Sequence, residues 1–125
     1  EPLALWDVQN VYAARPWAVE MPSAGRVLTA SSLLALRRRG VEIARVTHAA
    51  GISSIGDPVV DAMLPLPERF EVKDETWEAI AQARKRGGRV VAIGTSTARA
   101  LEGAARSGGR RSAVTDLKMG PSTRR

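Results

Sequence analysis

Apolar and polar positions along the chain change period several times, and each change marks an element. After an irregular opening with prolines at positions 2, 16 and 22, Leu33, Leu34 and Leu36 form an apolar stripe at helical spacing. This predicts a helix over 30–39, capped by Thr29 and closed by Gly40. Residues 41–47 then alternate, with Val41 and Ile43 on one side, and predict a strand. The stretch 48–68 is broken by Gly56, Pro58, Pro65 and Pro67 and reads as a long loop. A loop of that length in a small domain is usually either functional or a sign that an element has been missed. Asp74 opens a second helix, over 75–86, with Trp77, Ile80 and Ala81 turned to the core and Gly87-Gly88 as its stop. Residues 89–93, apolar from Val90 to Ile93, predict a short buried strand. Gly94 turns the chain, Thr95 caps a third helix to about residue 107, and 116–119 predicts a last strand. The alternation predicts an α/β fold: a mixed, partly parallel sheet with helices packed on it.

Totals narrow this picture. A chain of 125 residues with 44% apolar content suits one domain. The expectation is a single α/β domain over 1–125, cut at both ends, since the sequence opens on Glu1 rather than Met. No apolar run approaches the ~20 residues of a membrane span. With no cysteine and one histidine, neither a disulfide nor a protein-built metal site is expected. A cytoplasmic setting fits these features.

Charge changes the picture more. The formal net charge is +6, but it is unevenly spread. Residues 1–83 hold 8 basic and 11 acidic side chains, whereas 84–125 hold 11 basic and 2 acidic. Clustered cations of this kind either meet a polyanion or form a solvated face.

Three segments could carry chemistry. In 89–102 a strand ends at Gly94 and three hydroxyl residues open a helix, so free N–H groups and the helix dipole favour an anion near Thr95, Ser96 and Arg99. The plainer alternative makes Thr95 an ordinary cap and Arg99–Glu102 a surface pair. Neither a GxGxxG nor a GxxxxGK[ST] pattern is present. In 21–29, Ser23 and Gly25 precede a helix cap and offer further amides. In 47–56, His48 ends a strand and is either a general base or a hydrogen-bonding structural residue.

Taken in order, these segments resemble the S-adenosylmethionine:tRNA ribosyltransferase-isomerase family of queuosine biosynthesis. Gln9-Asn-Val-Tyr-Ala13 is similar to the family's Gln-Thr-Val-Tyr-Ala, and Pro22-Ser-Ala-Gly25 to Pro-Thr-Ala-Gly. Gly40-Val-Glu-Ile-Ala44 with Thr47-His48 resembles the strand that follows. Glu68-Arg-Phe-Glu-Val72 resembles Glu-x-Tyr-x-Val. The run from Gly88 to Glu102 resembles Gly-x-Arg-Val-x-Ala-Val-Gly-Thr-Thr-x-x-Arg-x-Leu-Glu, and Thr115 to Pro121 the strand leading to the last motif. Arg26-Val-Leu-Thr29 departs from the family's Leu-His-Phe-Thr, and Leu66 or Pro67 stands where a histidine precedes the Glu-x-Tyr element. The family's β-barrel domain and its Thr-Asn-Phe-His-Leu-Pro segment have no counterpart in these residues.

The resemblance implies transfer and isomerisation of the ribosyl moiety of S-adenosylmethionine onto 7-aminomethyl-7-deazaguanine in tRNA, with loss of adenine and methionine. It implies S-adenosylmethionine as cosubstrate, no prosthetic group, no metal, and tRNA as partner. On this reading Thr95, Ser96, Arg99 and Gly94 contact the cosubstrate, Ser23 and Gly25 line the facing wall, and His48 is the base. Arg84, Lys85, Arg86, Arg89, Arg110 and Arg111 meet tRNA. The rival reading is a non-catalytic basic RNA-binding module built on the same fold.

Overall fold

A computed structural model describes residues 10–21, 23–109 and 111–118. The element order is a 3-10 turn at Ser23–Gly25, α1 (Ala30–Arg38), β1 (Thr47–His48), α2 (Pro58–Asp61), β2 (Glu68–Glu71), α3 (Asp74–Lys85), α4 (Thr95–Arg106) and β3 (Ser112–Thr115). The three long helices stand within a residue or two of their predicted spans. The short α2 was not predicted; Asp57 Oδ1 caps it, accepting from the Val59 and Val60 amides, with Pro58 in its first turn.

The class is α/β, but the sheet differs from expectation. The strands lie in the order β1-β2-β3, and both pairs are antiparallel rather than partly parallel. Thr47 pairs with Glu71, His48 with Phe70, and Phe70 with Ala113. Residues 41–46 and 89–93 take no part in the described ladder, so of the two predicted strands only Thr47 joins it, in β1. The last strand, expected at 116–119, forms earlier, at Ser112–Thr115. The central strand is β2, in a segment that reads as loop and proline-flanked motif.

α4 is the helix that lies on this sheet. Its Ala100 and Ala104 meet Phe70 and Val72 in the fully buried core, with Trp77 and Val46 at the margin. Small residues on this face bring helix and sheet close. A Cβ on Gly103 would sit 2.8 Å from Thr115 Cβ. α1 buries none of its residues, and Leu34 is exposed, so its leucine stripe does not reach the core. α3 is tied in partly by Thr76 Oγ1, which donates to the Arg45 carbonyl at 2.7 Å.

Candidate functional site

The short turn at 23–25 and the Gly94 turn come together. Gly94 has φ of 89°, a left-handed conformation that suits glycine, and a Cβ there would lie 3.1 Å from Ala24 Cβ. Tyr12 Oη closes on the opposite side of Gly25, where any side chain would collide with it. Burial raises the Tyr12 pKa.

Gly94 itself is the N-cap of α4 and offers no side chain to the helix. Thr95, expected as the cap, is the first helical residue. Thr97 Oγ1 donates back to the Ile93 carbonyl at 2.7 Å, whereas the Thr95 and Ser96 hydroxyls make no bond within the described residues. The first N–H groups of α4 lie beyond the helix's own ladder.

These turns open on a cavity of about 1240 Å³. Ser23, Gly25, His48, Gly94, Thr95, Ser96 and Arg99, all singled out in the sequence, line it together. Its far wall includes Glu20, whose carboxylate accepts from the Ser53 amide at 2.6 Å and from the Ser53 hydroxyl. Those bonds, the hydroxyl's first, hold the Glu20 pKa down.

A buried charge cluster floors the cavity. Arg99 is 6% exposed and Glu68 8%. Arg99 Nη1 donates to Glu68 Oε2, and Nη2 donates to the Leu66 and Thr115 carbonyls at 3.2 and 3.3 Å. Glu68 Oε1 accepts from the Gly51 amide at 2.6 Å. His48 Nε2 stands 3.3 Å from Glu68 Oε2, at ion-pair distance but without hydrogen-bond geometry. Both His48 ring nitrogens and Arg99 Nε are buried without a hydrogen-bond partner. Burial lowers the His48 pKa; Glu68 opposes that and Arg99 adds to it, so the imidazole is neutral at pH 7.

Glu68 escaped notice in the sequence as a site residue. The signal was there: Glu68, Phe70 and Val72 alternate as the buried face of one extended segment. A carboxylate in a buried position of a strand needs a cationic partner, and Arg99 supplies it.

The basic residues lie elsewhere. Arg84 and Lys85 end α3, and Arg86 follows, donating to Glu42 at 3.0 Å. Arg89 is exposed. Arg111 pairs with Asp74, with Nε at 2.6 Å, at the opposite end of α3. Twelve residues at about 1.5 Å each put the two groups about 18 Å apart along the helix. Arg110 lies outside the described residues. Among the described residues no three His, Asp or Glu side chains gather to hold a metal ion, and no helix is long and apolar enough to cross a membrane.

Comparison with known proteins identifies the family. Residues 6–125 match the family described as Queuosine biosynthesis protein. The S-adenosylmethionine:tRNA ribosyltransferase-isomerase of Synechococcus sp. (strain WH7803) is 42% identical over 104 residues, covering 81% of this chain and 28% of that protein. The proteins of the same name from Thiobacillus denitrificans and Acidithiobacillus ferrooxidans are 43% and 45% identical, each over 80% of this chain and 30% of their own length. No solved structure matches. The chain thus spans less than a third of these relatives, and within that span it belongs to the queuosine biosynthesis protein family.

Proposed function

We propose that this chain is the α/β part of an S-adenosylmethionine:tRNA ribosyltransferase-isomerase, and that its cavity holds S-adenosylmethionine. One observation carries the reading: seven residues chosen from three separate sequence segments converge on one cavity. Its volume of about 1240 Å³ exceeds the ~300–1,000 Å³ usual for a small-molecule site, which leaves room for a modified base beside the cosubstrate. A non-catalytic RNA-binding module has no use for such a cavity.

The N-terminus of α4 suits the methionine carboxylate, with Thr95 and Ser96 as hydroxyl donors and Gly94 allowing close approach. Ser23 and Gly25 bound the ligand from the facing turn. His48, neutral and on the cavity wall, takes the proton beside the sulfonium. Arg99 holds the buried Glu68 carboxylate at the floor of the site. The exposed side chains of Arg84, Lys85, Arg86, Arg89 and Arg111 form the tRNA face, to which the sequence adds Arg110.

The fold reading extends with this function. Residues 41–46 and 89–93 both end at the cavity, and Val41, Val90, Val91 and Ile93 are exposed, Val91 by 70%. We infer that they run side by side and parallel as further strands in a protein of the relatives' length, which also holds the β-barrel domain. The α/β part alone is then inactive.

Titration calorimetry with S-adenosylmethionine tests the proposal. Binding is expected for the chain and is expected to weaken on Ser96→Ala. Absence of binding to the full gene product, or its failure to release adenine and methionine with modified tRNA present, overturns it.

A further inference from the structure

The proposed base has a neighbour to which no role is assigned. Glu68 touches three segments at once: the loop after β1 through the Gly51 amide, α4 through Arg99, and β1 through His48. We infer that Glu68 is a positioning residue that fixes the tautomer of His48, placing the hydrogen on Nε2 and the lone pair on Nδ1. This rests on the reading of His48 as the base.

The argument is electrostatic. The Glu68 carboxylate accepts from the Gly51 amide and from the Arg99 guanidinium. Its Oε2 lies 3.3 Å from His48 Nε2. A nitrogen lone pair facing that oxygen is repelled, whereas an N–H facing it is attracted, and burial strengthens both. The charged groups that face the imidazole are Glu68 on β2 and Arg99 on α4. Burial holds the His48 pKa down, and the Glu68 oxygen beside Nε2 favours one tautomer of the neutral ring. Nδ1 is buried and has no hydrogen-bond partner among the described residues, so the contact with Glu68 is the polar contact that biases the ring. A carboxylate that orients a histidine from behind is a general device for setting ring basicity.

The chain has one histidine, so its ring nitrogens give a single pair of signals. Long-range proton–nitrogen correlation spectra of the nitrogen-15-labelled chain above pH 7 are expected to show Nε2 protonated and Nδ1 bare. A Nδ1–H pattern, or signals averaged between tautomers as in free imidazole, overturns the inference. Glu68→Gln offers the ring either an amide N–H or a carbonyl, and is expected to turn the single tautomer into a mixture. An unchanged Nε2–H pattern in that variant, with folded amide dispersion, also overturns it. If the variant unfolds, the parent spectrum decides alone. Added S-adenosylmethionine separates the two readings. A moved Nδ1 signal supports His48 as the base; an unmoved one, with Nε2–H intact, removes the base role and leaves the positioning role standing.

Discussion

Two adjacent residues at the start of α4 separate folding from binding. Gly94 holds φ at 89° with Ala24 Cβ close by, so Gly94→Val imposes both backbone strain and a clash. Its cost to stability is expected at about 1–3 kcal/mol, alongside lost affinity. Thr95 is the cleaner probe because it is exposed and Gly94 is the cap. Thr95→Ala is expected to change stability by less than about 0.5 kcal/mol, since it removes no cap bond. The same change is expected to weaken S-adenosylmethionine binding by about 1 kcal/mol, or roughly fivefold, the worth of one hydrogen bond. Thermal melting and calorimetry on the two variants measure both quantities. Unchanged affinity in Thr95→Ala places the ligand away from α4.

At the level of elements, α4 depends on its small residues. Gly→Ala inside a helix ordinarily gains about 0.5–1 kcal/mol. At Gly103 the new Cβ would sit 2.8 Å from the Thr115 side chain, on a fully packed contact. Overpacking of this kind costs about 1–3 kcal/mol, so Gly103→Ala is expected to lower stability in urea unfolding. A gain would mean that α4 does not pack on β3 as described. The same contact shows what the sequence makes legible. Helices announce themselves through caps, glycine stops and 3.6-residue spacing, which are local, and all three long ones stand where expected. Strand pairing is not local. β2 hides because Glu68 replaces an apolar residue on its buried face and Pro65 and Pro67 precede it. The runs 41–46 and 89–93 carry strand-like patterns, but pattern alone does not supply a ladder partner. The cavity lining is more legible than the sheet, because glycine turns and hydroxyl-rich helix starts are also local. Its buried ion pair was not, since Glu68 and Arg99 meet only after folding.

At the scale of the whole molecule, the basic run that ends α3 lies off the cavity. Arg84, Lys85 and Arg89 are exposed and line no part of it. Binding to tRNA through such a face releases counterions, so log K is expected to fall linearly with log salt, by about 0.7–0.9 per phosphate neutralised. Reversing Arg84, Lys85 and Arg89 together to glutamate is expected to flatten that slope by about 2–3. Arg111 should contribute less, because Asp74 already takes its guanidinium. Breaking that pair to reach a phosphate offsets part of the gain. Arg111→Glu alone is therefore expected to move the slope less than Arg89→Glu alone. Filter binding of tRNA across a salt series measures each slope. Equal slopes in all variants would make this face solvated surface. The cavity would then have to recruit tRNA through other residues, and S-adenosylmethionine binding, measured without RNA, would stand unchanged.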